Sequence, residues 1–182
     1  EELEFIDTLS EETLRPIIIK DVLMKKMLKA ATATADFYID YTASDGIPYW
    51  DTGAPGLTHL GEYLKKPSDP YNEYEPVDSS AAAITAQGLL RLGNFLKKKD
   101  DKRADLYTQA GLTVANTLFS DAYLSLDRNH EGLILHSVYH RPNGWDNIPK
   151  GRKVPCDESS MWGDYHAREL ALYLTKLSRQ EP

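Results

Sequence analysis

The chain has 182 residues, 41% of them hydrophobic, which is enough to bury a core and ordinary for a soluble globular region. A net charge of −7 speaks against nucleic-acid binding, which depends on neutralising phosphates. No apolar run approaches the roughly 18 residues of a membrane span, and Glu1, Glu2 and Glu4 are the wrong charge for a signal peptide. Cys156 is the single cysteine, so no disulfide framework and no thiolate zinc site can form. It follows Pro155 in a polar stretch and reads as a free structural thiol. Eleven Tyr and three Trp suit stacking on flat ligands and equally suit a helical core.

Residues 3–19 leave the element type open. Leu3, Phe5, Ile6 and Leu9 have helical spacing, while Ile17, Ile18 and Ile19 after Pro16 would suit a short extended piece. The spacing of Leu23, Met27, Ala30, Thr34, Tyr38 and Tyr41 predicts a helix over 21–42, capped by Asp21. Residues 45–77 form a long loop, punctuated by Gly46, Pro48, Gly53, Pro55 and Gly56 and carrying Tyr49, Trp50 and Asp51. A helix over 79–97 follows, with Asp78 or Ser79 as its cap. Ala81, Ala82, Ala83, Ala86 and Gly88 keep it thin, and its apolar stripe is wide enough to predict burial on most sides.

A charged link with Asp100 or Asp101 as cap leads to a helix over 102–118, with Leu106, Ala110, Val114 and Leu118 as a narrower stripe. Residues 119–158 are a second long connection. Within it, 132–140 alternates like a short strand or hairpin arm, which puts His136 and His140 on one face. Lys150, Arg152 and Lys153 form a small basic cluster. Residues 159–178 form the last helix, capped by Ser159 or Asp157, with Trp162, His166, Glu169, Tyr173 and Leu177 along one side.

Segment order places a ligand site. If successive helices are antiparallel, both long loops lie at one end and the short link at the other. One rim then carries Tyr49, Trp50, Asp51, Tyr63, Tyr71, Tyr74, His136, His140, Trp145, Lys150 and Arg152. Two carboxylates flanking a sugar would allow acid/base chemistry, and Asp51, Asp78 and Asp164 are the candidates. Asp78 also reads as a helix cap, and Asp164 as a first-turn anion favoured by the helix dipole. His136 and His140 lack a third metal ligand and suit hydrogen bonds to sugar hydroxyls or backbone better. Trp50 and Trp162 read equally as sugar platforms or core aromatics.

Four stretches resemble a known family: Pro48-Tyr49-Trp50-Asp51, Ala54-Pro55-Gly56, the run from Asp78 to Ala83, and Trp162-Gly163-Asp164-Tyr165. In this order they look like the C-terminal half of the unsaturated glucuronyl hydrolases. The related unsaturated rhamnogalacturonyl hydrolases share Tyr-Trp-Asp and rank second. The resemblance implies an all-α fold, a partial (α/α)6 barrel of antiparallel helical hairpins, with 1–182 a single region from its C-terminal part. It implies hydration of the C4=C5 double bond of an unsaturated uronic acid in lyase-generated oligosaccharides, with no cofactor and no metal. The family's catalytic Asp residues lie in the N-terminal half, so the catalytic residues of this chain are unknown.

What maps here is one wall of the cleft: Trp50, Asp51, Asp78, Ser79, Ser80, Trp162 and Tyr165, with Lys150 and Arg152 in a looser match. Expected partners are unsaturated uronic-acid oligosaccharides and the remaining half of the barrel or a second copy, with no nucleic acid and no membrane. The compartment stays open, the cytoplasm being preferred to a secreted or periplasmic place. A non-catalytic helical module that binds acidic sugars or completes a partner's barrel is the alternative, and a degenerate, inactive chain is a third.

Overall fold

The computed structural model describes the backbone of residues 11–99 and 101–179 and the side chains from Lys20 onward. The expectations for residues 1–10 and for Asp100 lie outside the described residues. The chain divides into two compact units, Glu1–Phe37 and Tyr38–Pro182. Four α-helices are present among the described residues: α1 (Glu11–Asp40), α2 (Ser79–Lys97), α3 (Ala104–Leu118) and α4 (Met161–Arg179).

In the first unit α1 begins well before the expected residue 21. It runs through Ile17–Ile19, so the extended alternative is not adopted, and Asp21 lies inside the helix rather than at its cap. Leu23 and Met27, the head of the expected stripe, are exposed, as are Val22, Met24 and Phe37. The apolar spacing is real, but within this unit it stands bare.

The second unit is built around α2. Asp78 caps this helix: its Oδ1 accepts from Ser80 N at 3.0 Å and Ala81 N at 3.3 Å. Ser79, Ser80, Ala82, Ala83, Ala86, Gln87, Leu89, Leu90, Gly93 and Leu96 are all buried, as the wide small-residue stripe predicts. The small residues let neighbours approach closely. Gly93 faces Ala104 and Thr108 of α3, and Gly111 of α3 faces Leu90 and Ala86. That order of contacts makes α2 and α3 antiparallel. On its other side α2 meets α4: Gly163 lies against Ser80, Gln87 donates to His166 O at 2.9 Å, and Arg91 covers the Tyr173 ring at 4.7 Å. Those contacts make α2 and α4 parallel.

Two stripes differ from expectation. On α3 the buried set is Ala104, Tyr107, Gly111, Val114, Ala115 and Leu118, while Leu106 is exposed. Val114 and Leu118 of the expected stripe are buried. At the start of the helix Ala104 and Tyr107 take the covered face in place of Leu106, because α2 presents Gly93 to Ala104 and Thr108 and Leu90 to Gly111. On α4 the buried line is Gly163, Ala167 and Leu170, flanked by the half-buried Trp162, His166 and Glu169. Ser160, not Ser159 or Asp157, caps α4, its Oγ accepting from Gly163 N at 3.2 Å.

The arm expected at 132–140 is not a strand. Among the described residues it forms one antiparallel bridge, Leu124 with Ile134. His136 then takes a left-handed conformation (φ 68°), which breaks the alternation. Both long loops do lie at one end of the helices, as segment order predicts. Thr117 at the end of α3 donates to Asp45 O at 2.9 Å, and Ser79 N at the start of α2 donates to His136 O at 3.1 Å.

Candidate functional site

The two loops are fastened by side chains with turn-forming chemistry. Asp45 Oδ2 accepts from both Ser68 N (2.9 Å) and Ser68 Oγ (2.7 Å), and Ser68 Oγ is bonded in turn to the Tyr123 hydroxyl. Asn72, buried, accepts from Tyr74 N and Glu75 N and donates to Asp69 O and Glu75 O. This knot aims Glu75 inward. Its buried carboxylate accepts from Trp50 Nε1 at 2.7 Å and from Gly56 N at 2.8 Å. Trp50 is therefore held by one edge and half-buried. Asp51 is exposed, and its carboxylate accepts from Gly53 N at 2.7 Å, so it shapes the turn that follows it.

A second chain of bonds starts at Asp78. Besides capping α2, Oδ1 accepts from Ser80 Oγ at 2.6 Å and from Val138 N at 3.4 Å. Ser80 Oγ accepts from Trp162 Nε1 at 3.0 Å, and Ser79 Oγ meets Ser137 Oγ at 3.1 Å. The Asp78–Ser80 turn thus fixes the indole of Trp162 from below. Asp164 is committed elsewhere: it accepts from Leu133 N and Ile134 N at 3.0 and 3.1 Å and clamps the second loop onto α4. All three candidate carboxylates, Asp51, Asp78 and Asp164, serve backbone N–H groups.

Trp162 opens onto a cleft of about 430 Å³ whose walls come from the second loop and the start of α4. Its aromatic side is a row of three rings: Trp145 to Tyr139 at 5.8 Å and Tyr139 to Trp162 at 5.5 Å, tilted by about 30°. His140 lies against Trp145 at 4.9 Å, outside the lining. The Asp146 carboxylate accepts from the backbone N–H of both Tyr139 and His140, which sets the ring of Tyr139. Asn147 donates to Glu158 Oε1 at 3.0 Å.

His136 is buried and belongs to the scaffold. Nε2 donates to Ala122 O at 3.0 Å, and Nδ1 accepts from Asp157 N at 3.0 Å, so the ring is held as one neutral tautomer. Tyr71 and Tyr123 close over it edge-on. Burial lowers its pKa, opposed by the bond to Ala122 O and by Asp157 and helped by Arg152. A lowered folded-state pKa means the unfolded chain takes up the proton first. Stability from this group is complete above the unfolded value, about 6.5, and is lost as pH falls below it towards the folded value. The thermal midpoint should therefore fall between pH 7 and pH 5 in the wild-type chain and less in His136→Gln. Equal slopes in the two chains would remove His136 as the cause.

The expected basic cluster is spread out. The Arg152 guanidinium covers the Tyr71 ring at 4.3 Å, and Tyr71 donates to Asp157 at 3.0 Å. Lys153 pairs with Glu73 at 2.8 Å, and Lys150 is exposed. Cys156 is buried and its thiol is pushed up to about 11, chiefly by burial, with Asp157 adding to the shift. That is an unreactive thiol.

Of the expected site residues, the structure brings Asp78, Ser79, Ser80 and Trp162 together and sets Trp50 and Asp51 on the same rim. It separates His136 from His140: the left-handed turn at His136 buries one and leaves the other exposed. Tyr165 turns away from the cleft and donates to Glu169 at 3.0 Å on the outer side of α4. Glu75, Asn72, Tyr139, Asp146 and Glu158 were absent from the expectation. Only the aromatic spacing of Tyr139 and Trp145 offered a sequence signal.

An antiparallel α2–α3 pair, with α4 parallel to α2 and the long loops gathered at one end, fits the (α/α)6 barrel that the matching solved structures share. No family model matches the chain. A curated unsaturated glucuronyl hydrolase from Formosa agariphila is 32% identical over 146 residues, 79% of this chain and 29% of that protein. Another, from Bacillus sp. strain GL1, is 31% identical over 151 residues, 82% of this chain and 33% of that protein. The crystal structure of the Bacillus sp. GL1 enzyme superposes with a TM-score of 0.60 at 30% identity, over 82% of this chain and 33% of that one. A heparin-specific unsaturated glucuronyl hydrolase shares the fold, with a TM-score of 0.64 at 22% identity over 88% of this chain and 36% of that one. A further structure at 30% identity holds dGlcA-Glc-Rha-Glc, with a TM-score of 0.60 and coverage of 82% of this chain and 33% of that one. The chain belongs to the unsaturated glucuronyl hydrolase family and spans about a third of the length of the curated relatives it matches.

Proposed function

We propose that the intact protein removes 4,5-unsaturated uronic acid from lyase-generated oligosaccharides, and that residues 1–182 are one region supplying a wall of its cleft. The observation that carries this reading is the Asp78–Ser80–Trp162 chain of bonds beside an open aromatic cleft, in a chain about 31% identical to two such hydrolases. The reaction is hydration. A carboxylic acid protonates C4, water adds at C5, and the hemiketal collapses to release the leaving sugar. Asp51, Asp78 and Asp164 are all bonded to backbone N–H groups, which supports catalytic carboxylates lying outside these 182 residues. Trp50, Asp51, His140, Lys150 and Arg152 stand as rim residues toward the substrate, while the buried Ser79 and Ser80 act from behind, Ser80 by holding Trp162.

The bare apolar side chains Leu23, Met27, Leu106 and Leu112 suit contact with the rest of a barrel or with a second copy. The test is a proton NMR time course of the intact protein on an unsaturated disaccharide. The C4 vinylic signal should disappear no later than the glycosidic bond. Cleavage that first releases a sugar still carrying the double bond would overturn the hydration route.

A further inference from the structure

We infer that Tyr71 is a positioning residue: from the first long loop it holds His136 and Asp157 in two left-handed turns, and through them it sets Trp162. This rests on the hydrolase reading above. His136 (φ 68°) and Asp157 (φ 65°) are the two non-glycine residues with positive φ among the described residues. Residues with a side chain seldom adopt this conformation. It persists where the surroundings over-determine it, and such residues gather at functional sites. Here the two form a bonded pair, Asp157 N donating to His136 Nδ1 at 3.0 Å.

The first loop supplies what holds the pair. The Tyr71 hydroxyl donates to Asp157 Oδ1 at 3.0 Å, and its ring meets the His136 ring edge-on at 5.2 Å. Ser68 reaches His136 as well, through Tyr123. The loop's ion pair, Glu73 with Lys153, joins two exposed side chains and contributes little.

The pair leads to Trp162 by two routes. His136 O accepts from Ser79 N at 3.1 Å, and Ser79 precedes the serine whose hydroxyl holds the indole. Beyond Asp157, Glu158 O accepts from Ser137 N at 3.0 Å, and Ser160 caps the helix on which Trp162 is the second residue. A change of φ at either left-handed residue would disturb both routes. Aspartate tolerates this conformation and glycine adopts it freely, whereas alanine is strained in it. That ordering separates a backbone role at position 157 from a chemical role of the carboxylate.

The test measures kcat and KM of the intact protein on an unsaturated disaccharide for wild type, Tyr71→Phe, Asp157→Ala and Asp157→Gly. Tyr71→Phe keeps the ring against His136 and under Arg152 and removes only the hydroxyl. Its KM should rise about threefold to tenfold, the range of one net hydrogen bond. Its kcat should stay within about twofold, as when binding common to ground and transition states is lost. Asp157→Ala should lose about tenfold or more in kcat/KM, and Asp157→Gly should stay within about threefold of wild type. Adding Tyr71→Phe to Asp157→Gly should move KM by less than about twofold, because the hydroxyl then has no carboxylate to hold. An unchanged KM in Tyr71→Phe, or a glycine variant as impaired as the alanine one, would overturn the inference and leave the hydrolase reading intact. No turnover by the wild-type protein would overturn both. Should Tyr71→Phe fail to fold, the alanine and glycine variants decide the matter.

Discussion

Replacing Gly93 by valine is expected to lower the thermal midpoint of the chain by about 6–12 °C, the shift that about 3 kcal/mol of overpacking produces at this size. A Cβ at this position would stand 2.3 Å from Thr108 Oγ1, 2.9 Å from Ala104 O and 3.0 Å from Thr108 N. Two of those atoms are backbone, so relief requires α2 and α3 to part. Gly88 provides the contrast within the same helix. It is exposed, and a Cβ there meets nothing within 4 Å. Gly88→Ala should stabilise by about 0.5–1 kcal/mol through helix propensity alone. Calorimetry on the two variants separates the causes. Destabilisation by both would mean that α2 resists any added side chain, and the close crossing with α3 would no longer be the explanation.

Asp78→Ala should cost about 2–3 kcal/mol, the sum of a lost helix cap and further unpaired donors. Four groups converge on its Oδ1: Ser80 N, Ser80 Oγ, Ala81 N and Val138 N. The consequence reaches the cleft, because Ser80 Oγ is the acceptor for Trp162 Nε1. Without Asp78 the serine hydroxyl is free to rotate and the indole loses its fixed edge. In the intact protein kcat/KM should fall about tenfold or more, as expected when a positioned group loosens. Asp78→Asn keeps an acceptor in place and should stay within about 0.5–1 kcal/mol of wild type, the usual range for a retained cap. Urea unfolding of the three proteins measures this. An alanine variant with an unchanged midpoint would show that the cap carries no weight.

These effects trace back to features that were legible in the sequence to different degrees. The helix after Asp78 announced itself through its cap and its run of alanines, because both act locally. The common rim followed from segment order, since four helices joined by long, short and long connections leave few other arrangements. The β-like arm failed because alternation of apolar residues says nothing of a single left-handed residue, and His136 carries no mark of one. The face of α3 was legible at Val114 and Leu118 and missed at Leu106, because Gly93 and Leu90, on another helix, decide which side of its first turns is covered. Pro16 kept an extended piece open for Ile17–Ile19, and α1 runs through it. Glu75 was invisible because its bond to Trp50 spans 25 residues and depends on the turn that Asn72 ties. Where local chemistry decided the structure the sequence showed it, and where a distant partner decided, it did not.

The central claim is that these residues form a substrate-facing wall of an unsaturated glucuronyl hydrolase whose catalytic carboxylates lie elsewhere in the protein. The most direct test follows the ultraviolet absorbance of the 4,5-double bond in unsaturated disaccharides, with the intact protein and with the 182-residue chain in parallel. The account predicts loss of absorbance with the intact protein and none with the chain alone. Loss of absorbance with the chain alone would contradict it, and would place the acid among Asp51, Asp78 and Asp164 despite their bonds to backbone N–H groups.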